Sequence, residues 1–184
     1  MIIDSHIHIY DPFRPGGAPW PSPDDRHLYF TTLPDRLKMR SVPAGVDGAI
    51  HVECSEWVED NQWILDLAND DPYLVGVVGN LDVHDDAFAE NLARFAKDPL
   101  FRGIRARSWV PDEIDKLQGL ADHDLALDGG LNEPILRVAE AIPELRIIIN
   151  HCATIQMNGD EPAPDDVALV ERAAQFPNVF CKLS

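Results

Sequence analysis

The chain has 184 residues, long enough for one domain with a sizeable core, and its 32 acidic residues against 15 basic ones give a formal net charge of −17. A surface of this charge repels phosphate groups, so we expect neither nucleic acid nor an anionic membrane as a partner. The three cysteines are widely separated and no apolar run reaches the roughly 18 residues of a membrane span, so residues 1–184 are expected to form a single cytoplasmic domain.

Strands and helices alternate along the chain. An isoleucine-rich first strand in Met1–Tyr10 is followed by a Pro/Gly-rich loop, Asp11–Pro23, in which Trp20 and Phe13 favour packing as a lid. Further strands are predicted at Ala49–Cys54, Leu74–Leu81, Phe101–Ser108, Asp124–Asp128, Leu145–His151 and Asn178–Leu183. Helices are predicted at Leu33–Arg40, Asn61–Asn69, Asp86–Lys97, Pro111–Leu120 and Asn132–Ala141, and a last one is capped by Asp165 and Asp166 with Val167, Leu169, Val170 and Ala173 facing inward.

This alternation indicates parallel strands joined by right-handed crossovers, either in a doubly wound open sheet or in a barrel. The sequence contains no GxGxxG and no Walker pattern, the usual phosphate loops of the doubly wound folds. Polar residues follow six of the strands, at the ends that form the active site of a barrel: His6 and His8, Glu53, Asn80, Arg105 and Arg107, Asp128, and Asn150 with His151. We therefore predict a (β/α) barrel.

The most informative residues are His6 and His8, which are two positions apart in the first strand. In a strand, side chains at this spacing leave on the same face. Neutral imidazole is a common ligand of divalent metals, so the pair predicts part of a metal site. A structural pair of histidines on a half-exposed strand is the alternative.

Asp4-Ser5-His6-Ile7-His8 resembles the opening motif of the amidohydrolase superfamily. Four later blocks resemble its amidohydrolase-2 branch, which includes sugar lactonases and 2-pyrone-4,6-dicarboxylate lactonase. They are LVGVVGNLD from Leu74, FRGIR from Phe101, INHC from Ile149 and NVFCKLS from Asn178. The resemblance implies a distorted (β/α)8 TIM barrel, hydrolysis of a C–O or C–N bond and, often, one divalent metal, here expected to be zinc.

The resemblance carries over residue by residue. His6 and His8 match the metal ligands of the first strand, and His151 matches the histidine that closes the sixth strand. The fifth-strand histidine of many members is replaced by Asp128, as the resemblance implies for lactonases, some of which work without metal. The catalytic aspartate of the superfamily follows strand eight, and this sequence is expected to end at strand seven, without the last strand and helix.

The predicted chemistry is attack of water on the carbonyl of a lactone, ester or amide. His6 and His8 with a carboxylate would hold the ion and leave a position open for water, whose pKa falls toward 7. Asp128 and His151 are the catalytic candidates, His151 as a metal ligand or as a donor to the oxyanion. Without metal, the histidines would donate hydrogen bonds to the carbonyl.

The substrate is expected to be a small molecule carrying a carboxylate, because Arg105 and Arg107 lie on one face by alternation and arginine pairs well with carboxylates. Glu53 is a further candidate for substrate binding. Two alternatives remain open: a decarboxylase of the same branch, or a catalytically inactive barrel fragment that binds a ligand or a second copy of itself through its open edge.

Overall fold

The computed structural model describes residues 1–107, 110–156, 158, 159 and 161–183. Ser108, the predicted end of the fourth strand, lies outside the described residues. The strands are β1 (Ile3–Ile7), β2 (Gly48–Val52), β3 (Leu74–Gly79), β4 (Phe101–Ala106), β5 (Ala126–Gly129), β6 (Arg146–Ile149) and β7 (Val179–Cys181). The helices are α1 (Pro34–Ser41), α2 (Val58–Asp70), α3 (Phe88–Phe95), α4 (Ile114–Asp122), α5 (Glu133–Ala141) and α6 (Pro164–Ala173), with short 3₁₀ turns at Val42–Ala44 and His151–Thr154. The predicted alternation is confirmed.

The chain divides into two compact units. Unit 1 comprises Met1–Asn80 and Lys97–Arg102, and unit 2 comprises Leu81–Ala96 and the described chain from Gly103 onward. Strand β4 therefore begins in unit 1 and continues in unit 2. None of the described helices has the length and apolar character needed to cross a membrane.

Unit 1 contains β1, β2 and β3, which pair in parallel in that order. The Val77 N–H in β3 donates to the Leu100 carbonyl at 2.8 Å, so β4 begins beside β3. In the doubly wound order 3-2-1-4 the fourth strand instead lies beside the first. This pairing favours the barrel over the doubly wound sheet. Ala49 and Val52 of β2 and Val77 are fully buried and form the centre of the unit's core.

Unit 2 contains β4 to β7, again parallel and in sequence order. Ile104, Leu127 and Ile147 occupy the middle of successive strands and are fully buried. Helix α5 begins as its sequence predicts: the Asn132 side chain accepts a hydrogen bond from the Ile135 N–H at 2.9 Å. This cap fixes the turn between β5 and α5.

The prediction for α6 is wrong in two respects. The N-cap is Ala163, so Asp165 and Asp166 lie in the first turn and do not cap the helix. Val167 and Val170 are 40% and 37% exposed, whereas Ala173 is buried. Successive helical residues are about 100° apart around the axis, so Val170 cannot share a face with the adjacent Leu169.

Strands β4 and β5 pack closely at Gly103 in β4. A Cβ at this position would lie 2.2 Å from the Ala126 carbonyl oxygen in β5, whereas a Cβ at the exposed Gly130 would meet nothing within 4 Å. We expect Gly103→Ala to lower the free energy of unfolding by about 1–3 kcal/mol, because backbone must move to admit the methyl group. Gly130→Ala is the matched control, and equal urea midpoints for the two variants would contradict this packing.

Candidate active site

His6 and His8 lie at the carboxyl end of β1, and both are half-buried. Their ring centroids are 5.1 Å apart and the rings are nearly perpendicular. His8 Nδ1 lies 2.8 Å from the Val52 carbonyl oxygen. A carbonyl only accepts hydrogen bonds, so Nδ1 carries the proton and the lone pair of His8 is on Nε2.

The geometry of this pair fits two ligands of one metal ion. Two imidazoles bound to a tetrahedral zinc ion have ring centroids about 5 Å apart, because each Zn–N bond is about 2.0 Å. A metal bound at His8 Nε2 would leave Nδ1 hydrogen-bonded to the main chain. Such a hydrogen bond orients metal-binding histidines. Within the described part of the chain, no group of three or more His, Cys, Asp or Glu side chains is placed to hold an ion. The pair would therefore supply only part of a coordination shell.

His51 in β2 is a third histidine of this region, which the sequence reasoning missed. It is 3% exposed, and its Nδ1 accepts a hydrogen bond from the Ile9 N–H at 3.1 Å. Burial, followed by the neighbouring His8 and His6, lowers the pKa of His51 to about 3. His51 is therefore neutral at physiological pH and positions the backbone next to His8. The sequence feature that could have revealed His51 is its position two residues before Glu53 in the same predicted strand.

Glu53 is 4% exposed and lines a cavity of 20 Å³ with His51, Cys54, Asn61 and Trp63. A cavity of about this size has room for a water molecule rather than a substrate. Substrate binding by Glu53 stays a prediction.

His8 lines a second and larger cavity of 350 Å³ in unit 1, together with Trp20, Phe30, Arg36 and Arg40. Its volume lies within the range of about 300–1,000 Å³ that is usual for small-molecule pockets. Trp20, from the Pro/Gly-rich loop, packs edge-on against Tyr10 at 4.9 Å and lies 6.1 Å from the His8 ring. The loop thus packs onto the end of β1, although Phe13 is 65% exposed.

In unit 2, three charged side chains lie together at the carboxyl ends of β4, β5 and β7. Arg105 in β4 is opposite Asp128 in β5. Lys182, just after β7, donates from Nζ to Asp128 Oδ2 at 2.6 Å, and the two side chains are 10% and 2% exposed. The sequence reasoning missed Lys182, although alternation along the last strand places it two residues after Phe180.

Burial raises the pKa of Asp128, and the charges of Lys182 and Arg105 offset only part of that effect. A buried carboxyl group with a raised pKa is a better proton acceptor near neutral pH than an exposed one. Arg107 lies one residue past the end of β4 and is exposed, whereas Arg105 is half-buried beside Asp128. The two arginines therefore do not have equivalent surroundings.

Strand β6 ends at Ile149, so the prediction that it extends to His151 is wrong. His151, Cys152, Ala153 and Thr154 have φ values of 50°, 48°, 63° and 56°, the left-handed region that non-glycine residues rarely adopt. The Cys152 N–H donates to the Lys182 carbonyl at 2.8 Å and ties this turn to β7. His151 is therefore presented by a strained turn beyond the strand, as is frequent at functional sites.

Asn150, between β6 and this turn, is 4% exposed, and neither Nδ2 nor Oδ1 has a hydrogen-bond partner among the described residues. Two other buried asparagines are satisfied: Asn61 bonds the backbone of Asn80, and Asn178 Nδ2 donates to main-chain carbonyls of residues 139, 142 and 145. Burying an unpaired amide costs about 1–3 kcal/mol. Asn150 thus differs from the other two buried asparagines, whose amides are hydrogen-bonded.

Comparison with known proteins identifies the family to which the chain belongs. A family model described as Amidohydrolase (Amidohydro_2) matches residues 3–184. The chain is 30% identical over 195 residues to an L-fucono-1,5-lactonase of Burkholderia ambifaria, an alignment that covers 99% of this chain and 67% of that protein.

Solved structures share the fold. The crystal structure of an amidohydrolase from Burkholderia multivorans with bound zinc aligns with a TM-score of 0.81 at 22% identity, covering 100% of this chain and 69% of that one. A probable 2-pyrone-4,6-dicarboxylic acid hydrolase from Acinetobacter baumannii with citric acid bound gives a TM-score of 0.70 at 12% identity, covering 100% and 70%. The prediction of a TIM-barrel fold is confirmed, with seven strands in the described part of the chain, as is the family resemblance.

The Lys182–Asp128 ion pair predicts a pH-dependent loss of stability. We expect Lys182→Met to lower the free energy of unfolding by about 3–5 kcal/mol at pH 7, because it leaves a buried carboxylate without its main partner. Folding raises the pKa of Asp128, so its protonated form stabilises the folded chain below the unfolded pKa of about 3.9. This contribution is lost as the pH rises through the folded pKa. The loss should therefore be smaller in acid, where Asp128 is protonated.

Urea unfolding of wild type and Lys182→Met at several pH values measures this effect. The double variant Lys182→Met with Asp128→Asn is the matched control, since it has no buried carboxylate to titrate. A loss in Lys182→Met that is the same at pH 4 and pH 7 would show that the ion pair does not form.

Proposed function

The chain belongs to the amidohydrolase family, and we therefore propose that this hydrolase opens a lactone by attack of water on the ring carbonyl. The 30% identical relative named L-fucono-1,5-lactonase supports a sugar lactone as the substrate. The observation that carries the proposal is the histidine pair of β1, whose centroid separation of 5.1 Å and main-chain hydrogen bond on His8 prepare it for one shared ligand.

We propose that His6 and His8 hold one divalent ion, with zinc as the first candidate. The bound zinc of a structural relative supports this choice. When bound, such an ion polarises a carbonyl and lowers the pKa of water. His51 holds the main chain of Ile9 beside His8, which limits the positions that the His8 ring adopts.

Unit 2 has candidate groups of its own for lactone hydrolysis. His151, presented by its left-handed turn, donates a hydrogen bond to the oxygen that becomes negative when water adds to the carbonyl. Asp128, with its raised pKa, accepts a proton from the attacking water. Arg105 donates to the substrate's anionic or carbonyl oxygens, because its planar group suits paired acceptors.

The test is turnover of L-fucono-1,5-lactone by the purified chain, followed by proton release with a pH indicator. Hydrolysis well above the spontaneous rate supports the proposal. Ligand binding without turnover of any lactone would contradict it and favour a binding module.

His8→Ala tests the role of the β1 pair. We expect the variant to lose at least about 100-fold in kcat and to lose bound zinc, because one of two imidazole ligands is gone. His27→Ala is the matched control, since His27 is an exposed loop histidine. Elemental analysis and initial rates are measured on the same preparations. Wild-type rates and metal content in His8→Ala would contradict the role given to the pair.

Arg105→Ala and Arg107→Ala separate the two arginines. A hydrogen bond to a charged group contributes about 1.5–3 kcal/mol, so loss of Arg105 should raise KM at least about tenfold. Arg107 is exposed and lies past the strand, so its removal should change KM less than about twofold. The reverse order of effects would place the substrate against Arg107 instead.

A further inference from the structure

We propose that Asn150, on the same strand face as Lys182 and Asp128, binds two neighbouring hydroxyl groups of the substrate and so selects polyhydroxylated lactones. This inference rests on the proposed lactone hydrolysis and deepens it by naming the residues that recognise the substrate class.

The register of unit 2 puts the three side chains on one face. Ile148 in β6 is opposite both Asp128 in β5 and Phe180 in β7, and opposite residues of parallel strands point to the same side. Asn150 is two residues after Ile148 and has an extended backbone. Lys182 is two residues after Phe180. Both therefore extend the face on which Asp128 lies.

The ion pair joins β7 to β5 across the intervening strand. Lys182 Nζ reaches Asp128 Oδ2 at 2.6 Å, although β6 lies between their two strands. Asn150 occupies the end of that middle strand, and its N–H donates to the Gly129 carbonyl at 3.0 Å. Asn150 therefore lies on the middle strand, on the same face as the ion pair of the two outer strands.

The amide of Asn150 needs both a donor and an acceptor. Within the described part of the chain, neither Nδ2 nor Oδ1 has a hydrogen-bond partner, although the residue is only 4% exposed. The comparably buried Asn61 and Asn178 bond main-chain groups. A buried amide without partners is unfavourable, so a ligand that pairs with both atoms would be bound preferentially.

The chemistry of the ligand follows from this requirement. An oxyanion or a carboxylate only accepts, so it would pair with Nδ2 and leave Oδ1 without a donor. A hydroxyl group both donates and accepts, and two neighbouring hydroxyls can pair with Nδ2 and Oδ1 together. Lys182, on the same face, adds N–H donors for the same groups. A bound water also offers both functions, and it is the competing explanation.

The test compares two lactones and two acids in wild type, Asn150→Leu and Asn150→Asp. Rates are measured with L-fucono-1,5-lactone and with δ-valerolactone, a six-membered lactone without hydroxyl groups. Binding of the corresponding open-chain acids, L-fuconate and 5-hydroxypentanoate, is measured by calorimetry and needs no turnover. Asn178→Ala is the control for loss of a buried asparagine, and thermal unfolding checks that each variant folds.

We expect wild type to prefer the hydroxylated lactone in kcat/KM by about 100-fold or more, and Asn150→Leu to lose at least about tenfold of that preference. Asn150→Asp, which keeps the shape and one acceptor, should lose part of it. Asn178→Ala should lower the unfolding temperature and leave the preference unchanged.

Three results separate the explanations. Equal preference in wild type and both Asn150 variants overturns the inference and leaves a structural water at Asn150. Wild-type binding of L-fuconate no tighter than that of 5-hydroxypentanoate overturns it as well. Selective, Asn150-dependent binding of L-fuconate without hydrolysis of either lactone sustains the inference and refutes the proposed lactonase activity.

Discussion

The register between parallel strands is the constraint on which the rest of the structure depends. Because neighbouring strands run in the same direction within each unit, their carboxyl ends meet at one edge, and opposite residues point to the same side. This pairing brings Arg105 opposite Asp128 and puts Lys182 within hydrogen-bond distance of the same carboxylate. A shift of one residue would turn these charges into the apolar core.

The features that are costly for folding lie at the carboxyl ends of the strands. Asp128 and Lys182 are buried charges, Asn150 is a buried amide without partners among the described residues, and His151 begins a turn of four left-handed residues. A left-handed non-glycine residue alone costs roughly 1–2 kcal/mol. The strand centres, by contrast, contain fully buried aliphatic side chains such as Ile104 and Leu127. Stability thus comes from the middle of the strands, and the chemistry is concentrated at their carboxyl ends.

Local patterns predicted the fold well because each strand and helix depends on neighbours in sequence, as the Asn132 cap of α5 illustrates. They failed where partners are distant in sequence. Lys182 and Asp128 are 54 residues apart, and alternation alone does not reveal that they meet. The end of β6 was misplaced because nothing local to His151 signals a left-handed backbone. The predicted inward face of α6 is wrong, since Val170 is exposed. Apolar residues alone therefore do not determine the orientation of a helix.

The carboxyl ends of the strands in unit 2 are proposed to form a ligand-binding edge. Hydrogen–deuterium exchange of wild type with and without L-fuconate tests it most directly, because each backbone amide is a separate probe. We expect slower exchange on ligand addition at the amides of Asn150, Cys152 and Lys182 in unit 2, which are all hydrogen-bonded at strand ends. Protection confined to the helices, with these amides unchanged, would contradict it.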